Sequence, residues 1–237
     1  MNTIENPNDW LHNQNLVELQ VCLNSRPQDG IMGAWSEMRH LVLYYRSHSW
    51  ITENFPHDMQ DMKKLQSFVL FWYAGPTFPN YKFEHLEMVK LIHCDGIREL
   101  SALEWLPNLK FLKLYDNFSL SVLGIGTRVP SGYSRLEKLV LTDLRYLESL
   151  AGPSNTGVWD ERTLPHLRVL KIRECPRLKR LPIGMEKLRN LCALRGERQW
   201  WEGKPIGQWW SEGILWENDN MKAKLEKIFV PLPRRIV

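Results

Sequence analysis

The sequence predicts an α/β solenoid: a horseshoe with parallel strands on its concave side, an irregular convex side and a Trp-rich C-terminal cap. Three observations predict it. A run of the form Leu-x-x-Leu-x-Leu, with other apolar residues replacing some leucines, recurs eight times, beginning at Leu16, Met38, Leu65, Leu86, Leu109, Leu136, Leu167 and Leu191. The seven steps between copies are 22, 27, 21, 23, 27, 31 and 24 residues, the spacing of leucine-rich repeats. Segments also align with one another without gaps: FPHDMQDMKKL from Phe55 with LPIGMEKLRNL from Leu181, and LPNLKFLKL from Leu106 with LPHLRVLKI from Leu164.

Each part of a repeat has its own reason. Residues at the fourth and sixth positions, such as Leu112 and Leu114, stand two apart on an extended chain and face one way, into a core that a single repeat cannot close. Stacked copies close it, with strands about 4.8 Å apart and each turn touching chiefly its neighbours. The ninth position ends the strand and suits a small polar or Cys side chain turned inward. Asn24, Cys94, Asn117 and Cys175 fit there, whereas Arg46, Tyr73, Leu144 and Gln199 do not, so an irregular solenoid is expected. The returning segments carry apolar residues three apart behind a proline, as in Pro56 with Met59 and Met62, or Pro182 with Met185 and Leu188. That pattern predicts short helical or 3₁₀ turns on the convex side. The stretches VPSGYS and AGPSNTG have loop composition.

The expected division is a polar lead-in over 1–15, the solenoid over 16–199 and a cap over 200–237. The last copy is weak, because Gly196 occupies its sixth position. A terminal repeat has no neighbour and needs an atypical cover. Five tryptophans fall between Trp200 and Trp216, and Met221, Leu225 and Ile228 or Phe229 space onto one side of a helix.

Composition excludes several function classes. A chain of 237 residues, 43% apolar, buries a sizeable core. The first residues, MNTIENPNDW, do not read as a signal peptide, and the most apolar run, FVLFWYA, is too short to span a bilayer. A net charge of +4 gives no reason to expect nucleic-acid binding. Cys94 and Cys175 stand three repeats apart, about 14 Å at strand spacing and beyond disulfide reach, while Cys22 and Cys192 lie near opposite ends. Reduced thiols and a cytoplasmic location are expected. Asn117-Phe118-Ser119 forms a glycosylation sequon, but the inward ninth position argues against its use.

No catalytic residue, cofactor or metal ligand is predicted. The sequence lacks C-x-x-C, H-E-x-x-H and G-x-S-x-G. His93 and Cys94 are adjacent, but strand neighbours face opposite ways. Asp58 and Asp61, beside Lys63 and Lys64, read as solvated convex surface. Binding remains, and a horseshoe exposes the third, fifth and seventh residues of each copy. Those columns bring together Tyr44, Phe71, Phe111 and Tyr115 with Lys90, Lys113, Lys138, Lys171, Arg173 and Arg195, against Glu197 alone. Rings beside unpaired cations suit a protein-binding face, with Val42, Val69, Val140 and Thr142 between them.

The stretch LPHLRVLKIRECPRLKRLPIGMEKLRNL, then Trp200-Trp201, then LWENDNMKAKLEKIF, resembles the C-terminal leucine-rich-repeat end of plant nucleotide-binding immune receptors of the coiled-coil class. The resemblance is best over 164–229 and looser over 16–150, and it departs from the usual tail at GKPIGQWWSEG, where a second pair, Trp209-Trp210, resembles an insertion. It implies recognition of protein: a pathogen effector, a host protein, or the receptor's own switch domain. The chain has no G-x-x-x-x-G-K-[ST] loop, so it is expected to be a receptor fragment, an incomplete gene product or a truncated paralogue. The alternative is a general intracellular leucine-rich-repeat scaffold or adaptor without an immune role.

Overall fold

The computed structural model describes residues 17–23, 35–45, 57–78, 80–117, 119–126, 132–153, 157–202 and 214–233. All eight predicted runs form strands: β1 (Glu18–Leu23), β2 (His40–Tyr45), β3 (Ser67–Phe71), β4 (Met88–Ile92), β5 (Phe111–Tyr115), β7 (Lys138–Thr142), β9 (Val169–Arg173) and β10 (Ala193–Gly196). Each begins at the third position of its copy. They lie parallel in chain order with matched register, so Tyr44, Phe71, Ile92, Tyr115, Thr142 and Arg173 form one row across the sheet. The core lies behind them. Leu41, Leu43, Phe68, Leu70, Leu112, Leu114, Leu139 and Leu141, all fourth- and sixth-position residues, are fully buried.

Where each strand ends, the backbone adopts an unexpected turn. The eighth residues Trp72, His93, Asp116, Asp143 and Glu174 all have φ between 53° and 56°, the left-handed region that glycine occupies more readily. Hydrogen bonding overrides that preference. The amides of Trp72, His93, Asp116 and Asp143 donate to the carbonyls of Ile92, Tyr115, Thr142 and Arg173 at 2.9–3.0 Å, so the ladder continues through the kink. The kink turns the ninth residue inward.

That ninth position is less selective than expected. Cys94, Asn117 and Cys175 are buried there as predicted, but so are Tyr73 and Leu144. Tyr73 packs edge-on against Tyr45 at 5.4 Å, and its ring occupies the space beside Gly75 where a Cβ would clash. Gln199 lies in helix α1 (Arg198–Glu202) instead. Asn24, Arg46 and the lead-in over 1–15 lie outside the described residues.

The convex side is built as its pattern implies. Three 3₁₀ turns, His57–Asp61, Ser101–Trp105 and Met185–Lys187, return the chain, with Met59, Met62 and Met185 fully buried beneath them. One feature was missed: β6 (Val122–Gly124) and β8 (Ser149–Ala151) pair in parallel as a second, two-stranded sheet. Ala151 is therefore strand, although it opens the expected AGPSNTG loop. Tyr133, in the VPSGYS stretch, is buried and donates its hydroxyl to the Leu100 carbonyl at 3.3 Å. Both Trp209 and Trp210 fall outside the described residues.

The tail completes what the last repeat lacks. A Cβ on Gly196 would lie 2.9 Å from the Trp200 ring, so Trp200 occupies the place of the missing sixth-position side chain. Its indole donates to the Leu178 carbonyl at 3.4 Å, and the ring is 1% exposed. Trp201 stacks on Phe229 at 4.2 Å and meets Trp216 edge-on at 4.6 Å. Helix α2 (Asp219–Glu226) is capped by the Asn218 side chain, which accepts from the Met221 amide, and it buries Met221 and Leu225. Ile228 and Phe229 lie beyond its end, not on its face. Phe229 instead opens β11 (Phe229–Pro231), which adds a ninth strand parallel to β10. Pro231 has no amide to donate, and it sits on the outermost strand, where a ladder tolerates proline.

Candidate functional site

The concave face follows from the register. Tyr44 and Phe71, one strand apart, stack at 4.4 Å with an 8° angle between rings. Trp72 touches both at 5.7 Å and stacks on His93 at 6.2 Å, and His93 meets Tyr115 at 5.4 Å. The result is a continuous band of rings across β2 to β5. Trp72 and His93 were not among the predicted site residues. Their eighth positions swing toward this face only because of the left-handed kink, for which the sequence carries no glycine signal.

Toward the C-terminus the rings give way to cations. Phe111 lies between Lys90 and Lys138, whose Nζ atoms are 5.9 and 5.3 Å from its centroid, and the Lys113 Nζ stands 5.3 Å from that of Tyr115. These are cation–π distances. A shallow concavity of about 340 Å³ opens here, lined by Phe111, Tyr115, Lys113, Lys138, Lys171 and Arg195 among others. Val140 and Thr142 form part of its lining but are buried under their neighbours, as is Val69 further along. Those three fifth- and seventh-position residues are therefore not the exposed contacts that strand alternation implied; longer flanking side chains cover them.

Of the predicted cations, five stand without a carboxylate in ion-pair range among the described residues: Lys90, Lys113, Lys138, Lys171 and Arg195. Arg173 differs. Its Nε lies 3.5 Å from Glu174 and 3.8 Å from Glu197, too far for a hydrogen bond but close enough to balance charge, and a guanidinium nitrogen also reaches the Pro233 carbonyl at 3.4 Å. Burial raises the Glu197 pKa, opposed by the Glu174 amide that donates to it.

The unpaired amines pay for their crowding. Burial lowers the Lys113 pKa, with Lys90 adding to it; burial lowers that of Lys171, with Arg173, Lys113, Lys138 and Arg195 adding. A lysine whose folded-state pKa lies below its unfolded one binds fewer protons when folded. Its contribution to stability is present above the ordinary lysine value of about 10.4 and is lost as pH falls through the folded value. Lys171→Met keeps the stem and removes the repulsion. At pH 7 and low salt it is expected to stabilise by a few tenths of a kcal/mol, raising Tm by about 1 °C, with the gain shrinking at high salt. A lowered Tm in thermal unfolding would contradict the unpaired cluster.

The adjacent His93 and Cys94 do not pair as base and nucleophile. Burial pushes the Cys94 and Cys175 thiols up to about 12, and they face backbone carbonyls, Cys94 that of Leu70 and Cys175 that of Arg173. His93 instead places Nδ1 2.8 Å from Asp116. Asp116 has its pKa raised by burial first and by Asp143 next. Asn117 is buried, its Oδ1 accepting from the Cys94 amide at 2.9 Å and its Nδ2 enclosed, which leaves a glycan no access. All four cysteines are free. Among the described residues no group of three or more His, Cys, Asp or Glu side chains is arranged to hold a metal ion, and no helix is long and apolar enough to cross a membrane.

Comparison with known proteins finds partial similarities. The family described as R13L1/DRL21 LRRs matches residues 34–117. A probable disease resistance protein of Arabidopsis thaliana is 32% identical over 135 residues, covering 51% of this chain and 18% of that protein. Two further Arabidopsis thaliana proteins are similar: disease resistance protein SUMM2, 27% identical over 64% of this chain and 16% of its own length, and disease resistance protein RPS5, 30% identical over 54% and 14%. The chain thus matches less than one fifth of the length of these relatives. Among solved structures, the leucine-rich repeat domain of the type III effector XCV3220 (XopL) aligns with a TM-score of 0.47 and 17% identity, covering 79% of this chain and 71% of that one.

Proposed function

We propose that this chain, a leucine-rich-repeat module similar to those of plant disease-resistance proteins, recognises protein through its concave face. Its partner is a pathogen effector, a host protein, or the nucleotide-binding switch domain of a receptor, met in the cytoplasm. The observation that carries this reading is the continuity of the face: stacked Tyr44 and Phe71 run through Trp72, His93 and Tyr115 into a concavity where Lys113, Lys138, Lys171 and Arg195 stand without counter-charges among the described residues. Rings supply contact area at little entropic cost, and unpaired cations raise the encounter rate with an acidic surface.

Lysine labelling tests the reading. A partner recovered with the full chain is added back, and acylation of each lysine is followed by mass spectrometry. Lys90, Lys113, Lys138 and Lys171 are expected to react about threefold or more slowly in the complex, because groups at a desolvated interface lose solvent access. Lys63, Lys187 and Lys222, exposed elsewhere, are expected to be unchanged. Protection confined to those three lysines would overturn the concave assignment.

A further inference from the structure

The concave face has a length, a direction and a charged border, which narrow the kind of segment that fits it. Its apolar end is at Phe71 and Trp72, the latter 42% exposed; its cationic end is at Lys171 and Arg195. From β3 to β10 the sheet order β3-β4-β5-β7-β9-β10 crosses five strand spacings, roughly 24 Å. At about 3.3 Å per residue an extended chain covers that in about seven residues.

The border excludes broader polyanions. Asp116, Asp143 and Glu174 stand at successive eighth positions, immediately past the C-terminal ends of β5, β7 and β9, and Glu197 follows at the end of β10. These carboxylates have neighbours of their own: Asp116 lies 2.8 Å from the His93 Nδ1, Asp143 pairs with Arg145, and Glu174 and Glu197 face Arg173. The cations of the fifth-position column, Lys90, Lys113, Lys171 and Arg195, have no such partners among the described residues. The unpaired cations thus lie in the fifth-position column, with Lys138 beside it in the third, and carboxylates border them at the strand ends. A nucleic-acid backbone or an anionic membrane surface would overlap that acidic edge. A single extended acidic segment would not.

Resting on the protein-recognition reading above, we propose that the concave face takes an extended acidic peptide segment of about seven residues, laid across the strands. Its aromatic or aliphatic end packs on Phe71 and Trp72, and its carboxylates lie among Lys113, Lys171 and Arg195. The binding energy divides accordingly: ring contact sets one end of the segment, and charge pairing in a partly desolvated concavity sets the other.

The test uses the full chain and fluorescein-labelled seven-residue peptides. One carries tryptophan at one end and glutamate at alternate positions after it; a second has glutamine in place of glutamate; a third has alanine in place of tryptophan; a seven-nucleotide oligothymidylate serves as a polyanion of similar length. The glutamate peptide is expected to bind about tenfold or more tightly than the glutamine peptide and than the oligonucleotide. The double variant Lys113→Glu with Lys171→Glu is expected to lose about tenfold, as is the milder Lys113→Gln with Lys171→Gln to a smaller extent. Lys63→Glu with Lys222→Glu, an equal change in net charge away from the face, is expected to leave binding unchanged. Trp72→Ala is expected to weaken the tryptophan peptide about fivefold and the alanine peptide hardly at all. Equal binding of the glutamine peptide, tighter binding of the oligonucleotide, or equal losses from the remote charge pair would each overturn the proposal. If lysine labelling protects the concave lysines with a protein partner while no acidic peptide binds, the segment proposal falls and the broader reading stands.

Discussion

Replacing Trp200 with alanine is expected to destabilise the chain by about 3–5 kcal/mol, the range for removing a large buried aromatic side chain. Three losses combine. The ring fills the position that Gly196 leaves empty in the core of the last repeat, it is almost wholly buried, and its indole satisfies the Leu178 carbonyl. The surrounding residues cannot collapse into the void without moving β10, which is hydrogen-bonded to β9 on one side and β11 on the other. Because each repeat contacts chiefly its neighbours, the damage should be local at first. Hydrogen exchange is expected to accelerate most at Leu194, whose amide donates to Ile228, and in β10 and β11 generally. Amides of β4 and β5 are expected to keep their protection under mildly destabilising conditions. Urea unfolding with no change in midpoint, or exchange that rises equally along the sheet, would contradict the capping role of Trp200.

The contrast between Gly196 and Trp200 illustrates what the sequence disclosed. The positions of eight strands were legible because apolar side chains two apart, recurring at the repeat period, leave only one register that buries them all. The same alternation identified the ten candidate face residues. It fails for detail that depends on side-chain reach: Val69, Val140 and Thr142 occupy outward positions yet are buried, with the longer Lys90 in register beside Val69, Lys113 and Lys171 beside Val140, and Tyr115 and Arg173 beside Thr142. Arg173 was read as an unpaired cation, but its charge is balanced by Glu174, one residue on, and Glu197, one strand away.

Backbone geometry was the other blind spot. A left-handed residue normally shows itself as glycine, but here Trp72, His93, Asp116, Asp143 and Glu174 hold that conformation because interstrand hydrogen bonds stabilise the turn. Trp72 and His93 consequently join the ring band. β11 was hidden as well, since a three-residue strand ending in proline has too little alternation to read. Conversely, Gly196 at a core position with Trp200 four residues later is a pairing that sequence inspection can exploit: a missing core side chain invites a search for a nearby large one.

The proposed recognition surface, the ring band with its adjoining cations, is probed by removing the rings while keeping the solenoid. The variant Tyr44→Gln, Phe71→Gln, Phe111→Gln and Tyr115→Gln alters only part-exposed positions on the concave face, and its fold is checked by circular dichroism and urea unfolding. Hot-spot residues, among which Tyr and Trp are enriched, cost about 2 kcal/mol or more on truncation, and such costs are not additive. Loss of the four together is expected to weaken binding of the captured protein partner by about a hundredfold or more. The comparison variant is Trp105→Gln with Tyr146→Gln, which removes two large exposed rings that lie off the concave strands. The measurement is the dissociation constant for the same partner with the wild-type chain and both variants. A large loss confined to the concave variant is the predicted result; equal affinity in all three, with the solenoid intact, would contradict the account.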